Sequence, residues 1–299
     1  MMRRSLITPS YAQGFARSQG DAQHPGLWRG LVGAWVPAMG SSGATLYDVS
    51  GYGNHGALTN MDPATDWVAG GKGTALDFDG SNDYVAVPHS DRFSFTDGAG
   101  NDTPFSIVAN VNVADIVTRR PIVSKYIDAS PFDGEWIFAY RETENLLGLH
   151  LVGTTSNDWI IAKSNAIGDV SGSEVQFAVT YDGSEALGGC KFYLNGNDIS
   201  SGGGATSGAY TGMTNRGTDV EIGVQLRNGG TAVHRLFKGQ MRDVYIFQRI
   251  LAPAEITQLY MDPLAPFRLR DRRAFVFIAA VSGRTNLLEP RLLHGLLRR

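Results

Sequence analysis

The sequence predicts an all-β protein, a two-sheet antiparallel sandwich of jelly-roll type with an extended arm at each end. Three observations carry this prediction. About a dozen short runs rich in β-branched and aromatic residues follow one another between residues 30 and 262. Glycine, Asn-Gly and Asp-Gly turns separate them, and glycine reaches 37 of 299 residues. Only one segment has helical character. The strand count exceeds that of an immunoglobulin domain and suits a jelly roll.

Residues 1–29 are polar and broken by Pro9, Gly14, Gly20 and Pro25, so they read as an arm. The first strand spans residues 30–37. A turn-rich run, Asp48 to Gly56, follows; its three glycines alternate with Asp, Ser, Asn and His. Residues 73–88, GTALDFDGSNDYVAVP, form a hairpin around which the chain is organised. Ala75, Leu76 and Phe78 supply one strand, and Tyr84, Val85 and Val87 the other. The Asp79–Asp83 turn lies between them, and Pro88 ends the ladder.

Residues 105–113 alternate strictly, placing Phe105, Ile107, Ala109, Val111 and Val113 on one face. Strands follow at 121–126, 136–141, 147–152, 159–162 and 175–181. Residues 191–194 run into Asn195-Gly196, a strong hairpin signal. Residues 200–204 read as a glycine-rich loop, and 220–226 and 237–247 as two further strands. Residues 253–260 form the helix, with Pro253 at its start and Ile256, Leu259 and Tyr260 on one side.

Charge divides the chain into three parts. Residues 1–29 carry four arginines against Asp21, and residues 263–299 carry eight against Asp271 and Glu289. Since the whole chain has a net charge of −3, residues 30–262 hold −12. An acidic body with basic ends favours docking to a surface through those ends. With few charges and no interleaved aromatics, nucleic acid is not the expected partner. Cys190 stands alone, so no internal disulfide forms. No stretch approaches the ~20 apolar residues of a membrane helix, and the N-terminus lacks the apolar run of a signal peptide.

The ordered series GLVGAW, DVSGYGNHGAL, GTALDFDGSNDYVAVP, FSIVANV, VTYDG, KFYLNGN and FKGQMRDVYIFQRILAPAEITQLY resembles the laminin-G-like, concanavalin A-like lectin/glucanase superfamily. The resemblance covers about residues 30–262. It implies two curved antiparallel sheets, a face that binds sugars in many members, and a structural calcium ion in some. The ends resemble those of proteins encoded among phage structural genes. The chain departs from the family pattern at Asn110, where a Trp is usual, and at Arg242, where an acidic residue is usual. Asp243, one residue on, is expected to point to the opposite face.

Glycanase relatives place three carboxylates on one strand face as Glu-x-Asp-x-Glu. This chain has no such string, and Asp77/Asp79 and Glu142/Glu144 fall beside turns, so a non-enzymatic role is expected. Calcium takes mixed carboxylate and carbonyl oxygens from a tight loop. Asp48, Asn54 and Asp243 are the candidate ligands, with Asp79, Asn82 and Asp83 as another loop of the right chemistry. Glycan contact requires an exposed aromatic beside polar groups. Trp136 and the Asn157-Asp158-Trp159 cluster are the candidates, although aromatics on sandwich strands also build cores. The expected role is a virion structural protein of a tailed phage, anchored to other virion proteins or to its own copies through residues 1–29 and 263–299. The alternative is a lectin-like module adhering to cell-surface glycans.

Overall fold

The computed structural model describes residues 14–70, 73–128, 133–141, 144–227 and 232–270. Residues 1–13 and the apolar run 274–281 lie outside this set. The early strands are β1 Leu31–Trp35, β2 Thr45–Leu46, β3 Gly56–Thr59, β4 Trp67–Gly70, β5 Gly73–Asp79 and β6 Tyr84–Val87. The long central strands follow: β7 Phe105–Val113, β8 Arg120–Asp128, β9 Asp133–Arg141, β10 Leu146–Val152, β11 Trp159–Ser164 and β12 Glu174–Tyr181. Then come β13 Cys190–Leu194, β14 Asn197–Asp198, β15 Ser200–Ser207, β16 Val220–Ile222 and β17 Val224–Arg227. Strands β18 Ala232–Leu236 and β19 Lys238–Phe247 precede the helix, α1 Pro253–Met261.

Two sheets result. The eight-stranded sheet runs β14-β13-β12-β7-β19-β5-β4, with β1 also on β19. The eleven-stranded sheet runs β15-β11-β10-β9-β8-β16-β6-β3-β2, with β17 and β18 attached beside β8. The order is that of a jelly-roll sandwich. The alternation of β7 holds throughout, and Phe105, Ile107, Ala109, Val111 and Val113 all enter the inter-sheet core. There Phe95 stacks on Phe105 with centroids 4.1 Å apart, and Tyr181 meets the same ring edge-on. The Asn195-Gly196 turn has φ of 51° and 78°, as a two-residue hairpin requires.

Three expectations change. Residues 200–207 form strand β15 rather than a loop, because residues 203–207 pair with β11 from Lys163 to Trp159 and Ser200 pairs with Ser164. The run 220–226 is two strands. Gly223 breaks it at φ +88°, and a side chain there would strike the Phe78 ring. The folded body also extends beyond residues 30–262. Ala16 and Gln23 donate to the carbonyls of Phe267 and Arg268, and Arg270 donates back to Asp21. Residues 16–23 and 267–270 therefore pair with each other.

They do so on the outer side of the eight-stranded sheet. Leu27, Ala265 and Phe267 join Ile256 and Leu259 of α1 in a second core against Tyr193, Tyr245 and Phe247. Tyr260, expected beside them, remains 38% exposed. The helix begins with the Glu255 carboxylate accepting from Ala252 N–H at 2.9 Å, while Arg249 grips that carboxylate with two hydrogen bonds. By contrast, the outward cluster of the eleven-stranded sheet consists of its own strand residues, Tyr126, Ile137, Ala139, Val152 and Trp159. Among the described residues, α1 and the paired segments lie over one sheet only; the other face is open in that sense, although its Tyr126, Ile137, Ala139 and Val152 pack closely enough to be buried.

Candidate functional site: the open sheet and its rim

Alternation along β9, β10 and β11 decides what the open face presents. Leu147, Leu149 and Leu151 point inward, so His150 and Val152 point out; Trp159 pairs with Val152 and also faces out. The result is an aromatic strip across three strands. The Trp159 ring meets His150 edge-on at 5.7 Å, and His150 lies 5.7 Å from Tyr126 on the other side. Burial, with Arg119 and Arg141 nearby, pushes the His150 imidazole down to about 3, so it stays neutral and apolar in character.

Asn157 and Asp158 lie in the loop that leads into Trp159. Asp158 is fixed by a bond from Thr155 Oγ1 at 2.8 Å, and its carbonyl accepts from Gly153 N–H at 2.7 Å. Asn157 is exposed beside it. The structure thus brings Asn157, Asp158 and Trp159 together at the edge of the open face. It does not bring Trp136 there. That ring is fully buried among Phe95 and Phe105, and its Nε1–H donates to the Phe93 carbonyl at 2.9 Å. Trp136 builds the core and offers no platform.

The Asp48 turn sits at the rim. Oδ1 of Asp48 accepts from Ala34 and Ser50 N–H, and Oδ2 from Ser50 Oγ and Asn54 N–H, at 2.8–3.0 Å. Asn54 in turn donates from Nδ2 to the Val32 carbonyl. Asp48 and Asn54 therefore brace the turn, and four donors already converge on the carboxylate. Asp243 is not part of this loop; it accepts from Asn110 Nδ2 at 3.3 Å in the eight-stranded sheet. Asp79 likewise accepts from Ser81 and Asn82 N–H within its own turn. Among the described residues, no three His, Cys, Asp or Glu side chains are disposed to hold a metal.

A long loop, residues 208–219, closes the same end of the sandwich. Asp102 anchors it by accepting from Tyr210 Oη and Met213 N–H, each at 2.7 Å, while also receiving Tyr181 Oη. Farther along, Asn215 Nδ2 donates to Asp91 and its Oδ1 accepts from Ser94 Oγ. Arg216 N–H reaches the buried Glu135. Hydrogen bonds to carboxylates hold this loop, together with Met213, which is buried in the main core, and Tyr210, which packs against it.

Comparison with known proteins fits this architecture. The family described as the concanavalin A-like lectin/glucanases superfamily, Laminin_G_3, matches residues 79–257. The chain belongs to this family. No curated protein matches the laminin-G-like chain significantly in sequence. Among solved structures, Trypanosoma rangeli sialidase in complex with sialic acid aligns with TM-score 0.51 and 15% identity, over 78% of this chain and 33% of that one. The binding domain of Paraclostridial Mosquitocidal Protein 1 gives TM-score 0.52 and 15% identity, over 77% and 52%. A botulinum neurotoxin type C structure, reported for cell entry dependent upon interaction with two ganglioside molecules, gives 0.50 and 17%, over 79% and 51%. The chain thus spans about a third of the sialidase and about half of the two toxin structures. At these identities the likeness is one of fold.

The two departures from the laminin-G-like pattern meet in space. A β-bulge between Met241 and Asp243 interrupts the alternation of β19. Arg242 then reaches Glu174 at 3.0 Å and the Gly73 carbonyl at 2.9 Å, while Asp243 reaches Asn110. Glu174 and Asn110 lie on the non-core side of their strands, so Arg242 and Asp243 share a face instead of opposing one another. Sequence alternation alone misses this, because a bulge adds one residue without a compositional signature.

Proposed function

We propose that this chain is a non-catalytic glycan-binding module, carried by its paired ends and presenting its open sheet outward. The observation that supports it is the unequal dressing of the two sheets. One is covered by α1 and residues 14–29 and 263–270, and the other carries the Tyr126–His150–Trp159 strip, buried at Tyr126 and partly exposed at Trp159, beside the polar Asn157-Asp158 loop. A partly exposed aromatic edged by hydrogen-bonding groups suits the apolar face and hydroxyl rim of a sugar ring. The ganglioside interaction named for the neurotoxin structure adds support by analogy of fold alone. Trp159→Ala is expected to weaken glycan binding tenfold or more on an array or by titration, with little change in melting temperature. Unaltered binding in that variant removes the strip as the contact.

The carrier we infer is a virion surface, with anchoring to other virion proteins or copies of the chain. The support is the pairing of residues 14–29 with 263–270 beside an acidic body, with the basic charge concentrated in the two terminal segments of the sequence. Phe267 and Ala265 belong to the folded core, so the informative truncation falls after Arg270. Removing residues 271–299 is expected to abolish incorporation into particles and to reduce any multimer to a monomer by light scattering, while the melting temperature holds. Normal incorporation refutes the anchoring.

A further inference from the structure

We propose that the rim depression beside the Asp48 turn binds the carboxylate of an acidic sugar, with Arg92 as the anion-binding residue and Tyr52 as the surface that positions it. This rests on the glycan-binding reading and adds a second contact to it. Tyr52 occupies the tip of its turn between Gly51 and Gly53, whose φ values of +97° and +75° favour glycine. The ring is 50% exposed, an unusual position for so large an apolar surface. It is nonetheless held firmly. Ser50 Oγ accepts from Tyr52 N–H, and Asp48 fixes Ser50 and Asn54 on either side.

The Arg92 guanidinium lies over this ring, 4.0 Å from its centroid. Elsewhere Arg120, Arg242, Arg249 and Arg268 each reach a carboxylate. Arg92 has no carboxylate partner among the described residues. It lines a shallow, open surface depression with Ser90, Asp91 and Gln248. Gln248 Nε2 donates to the Arg92 carbonyl at 2.9 Å, which fixes the backbone beneath. A stacked guanidinium with no counter-ion among the described residues is a fork for a carboxylate, which it takes with two parallel hydrogen bonds.

Asp91 narrows the ligand class. Its carboxylate receives Asn215 Nδ2 at 2.8 Å and lies 3.3 Å from His89 Nε2, and these contacts hold its pKa below the usual range. A dianionic phosphate set on Arg92 would meet this fixed negative charge. A sugar acid carries one charge and several hydroxyls, so its carboxylate can face Arg92 while a hydroxyl donates to Asp91. The wall pairs one cation with one acceptor, and the ligand that complements it is a monoanionic polyol.

Titration calorimetry of the full chain tests this with sialyllactose, a hyaluronan tetrasaccharide, lactose and inorganic phosphate. At least one acidic sugar is expected to bind, and to bind at least tenfold more weakly to Arg92→Gln. Tyr52→Ala should lose part of that affinity, and lactose binding should be the same in all three proteins. Arg92 is exposed, so the Gln variant should melt with wild type. Phosphate binding as tight as the acidic sugars overturns the assignment. If Arg92→Gln binds acidic and neutral sugars as wild type does, the anion site is wrong and the glycan reading stands. If no sugar binds wild type, both fail.

Discussion

The protein is expected to melt roughly 5–10 °C lower at pH 8 than at pH 5, a direction opposite to ordinary acid denaturation. Two buried carboxyls cause this. Asp243 is wholly enclosed, with Asn110 as partner for Oδ2 and none for Oδ1 among the described residues, and burial pushes it up to about 7 despite adjacent Arg242. Glu221 on β16, flanked by Ala86 and Ser124, has no partner for Oε2 and rises to about 8 through burial and the charge of Asp219. In the unfolded chain both ionise near pH 4. Between that value and their native values the folded state holds more protons, so stability falls as pH rises. His150 acts in reverse. Neutral down to about 3 in the fold, it adds stability as pH climbs to its unfolded value near 6.5. At about 1.4 kcal/mol per unit the two carboxyls outweigh it, leaving a net loss of a few kcal/mol from pH 5 to 8. Melting curves of Asp243→Asn, Glu221→Gln and the double variant check the assignment. Each single change should flatten the decline, and the double should flatten it most, with Glu135 and Asp102, also raised by burial, and His150 setting what remains. A wild type that is more stable at pH 8 than at pH 5 overturns the argument.

Much of the sandwich was legible because its signals are local. Alternation at 105–113, the DGSND turn and Asn195-Gly196 each act through a few neighbouring residues, and each appears where periodicity and turn chemistry place it. The misses involve non-local partners. Residues 200–207 carry no apolar stripe, yet β11 supplies a ladder and makes them an edge strand. Trp136 and Trp159 look alike in sequence, each on a strand between an acidic residue and an isoleucine. Which face each uses depends on register across β8, β9 and β10, and that put Trp136 inside. Asp48 and Asn54 have the composition of a cation loop, and the backbone donors of Ala34 and Ser50 that reach the carboxylate carry no signal in the sequence. Arg92 had no signal at all. Only the fold sets it over Tyr52, 40 residues earlier in the chain.

The largest single-residue effect is expected at Lys125, which is completely enclosed on β8. Its ammonium lies 2.7 Å from Glu135 Oε1 and donates to the carbonyls of Arg216 and Thr218. Glu135 Oε1 also receives Ser94 Oγ at 3.0 Å and Arg216 N–H at 2.8 Å, leaving Oε2 without a partner. Burial raises the Glu135 carboxyl even with Lys125 beside it, so little solvation remains to replace a lost cation. Lys125→Met removes the ammonium and both carbonyl bonds and strands a buried carboxylate. A loss of about 3–5 kcal/mol in denaturant unfolding is expected, because the desolvation already incurred is no longer offset. The 208–219 loop should become protease-sensitive first, since Arg216 and Thr218 lose their anchor there. Adding Glu135→Gln relieves the stranded charge while keeping an acceptor for Ser94 and Arg216, so the double variant should recover at least half of the loss. Equal instability of single and double variants would instead assign the effect to packing around the Lys125 chain. A single variant within about 1 kcal/mol of wild type would show the pair to be replaceable by apolar bulk, as some buried pairs are.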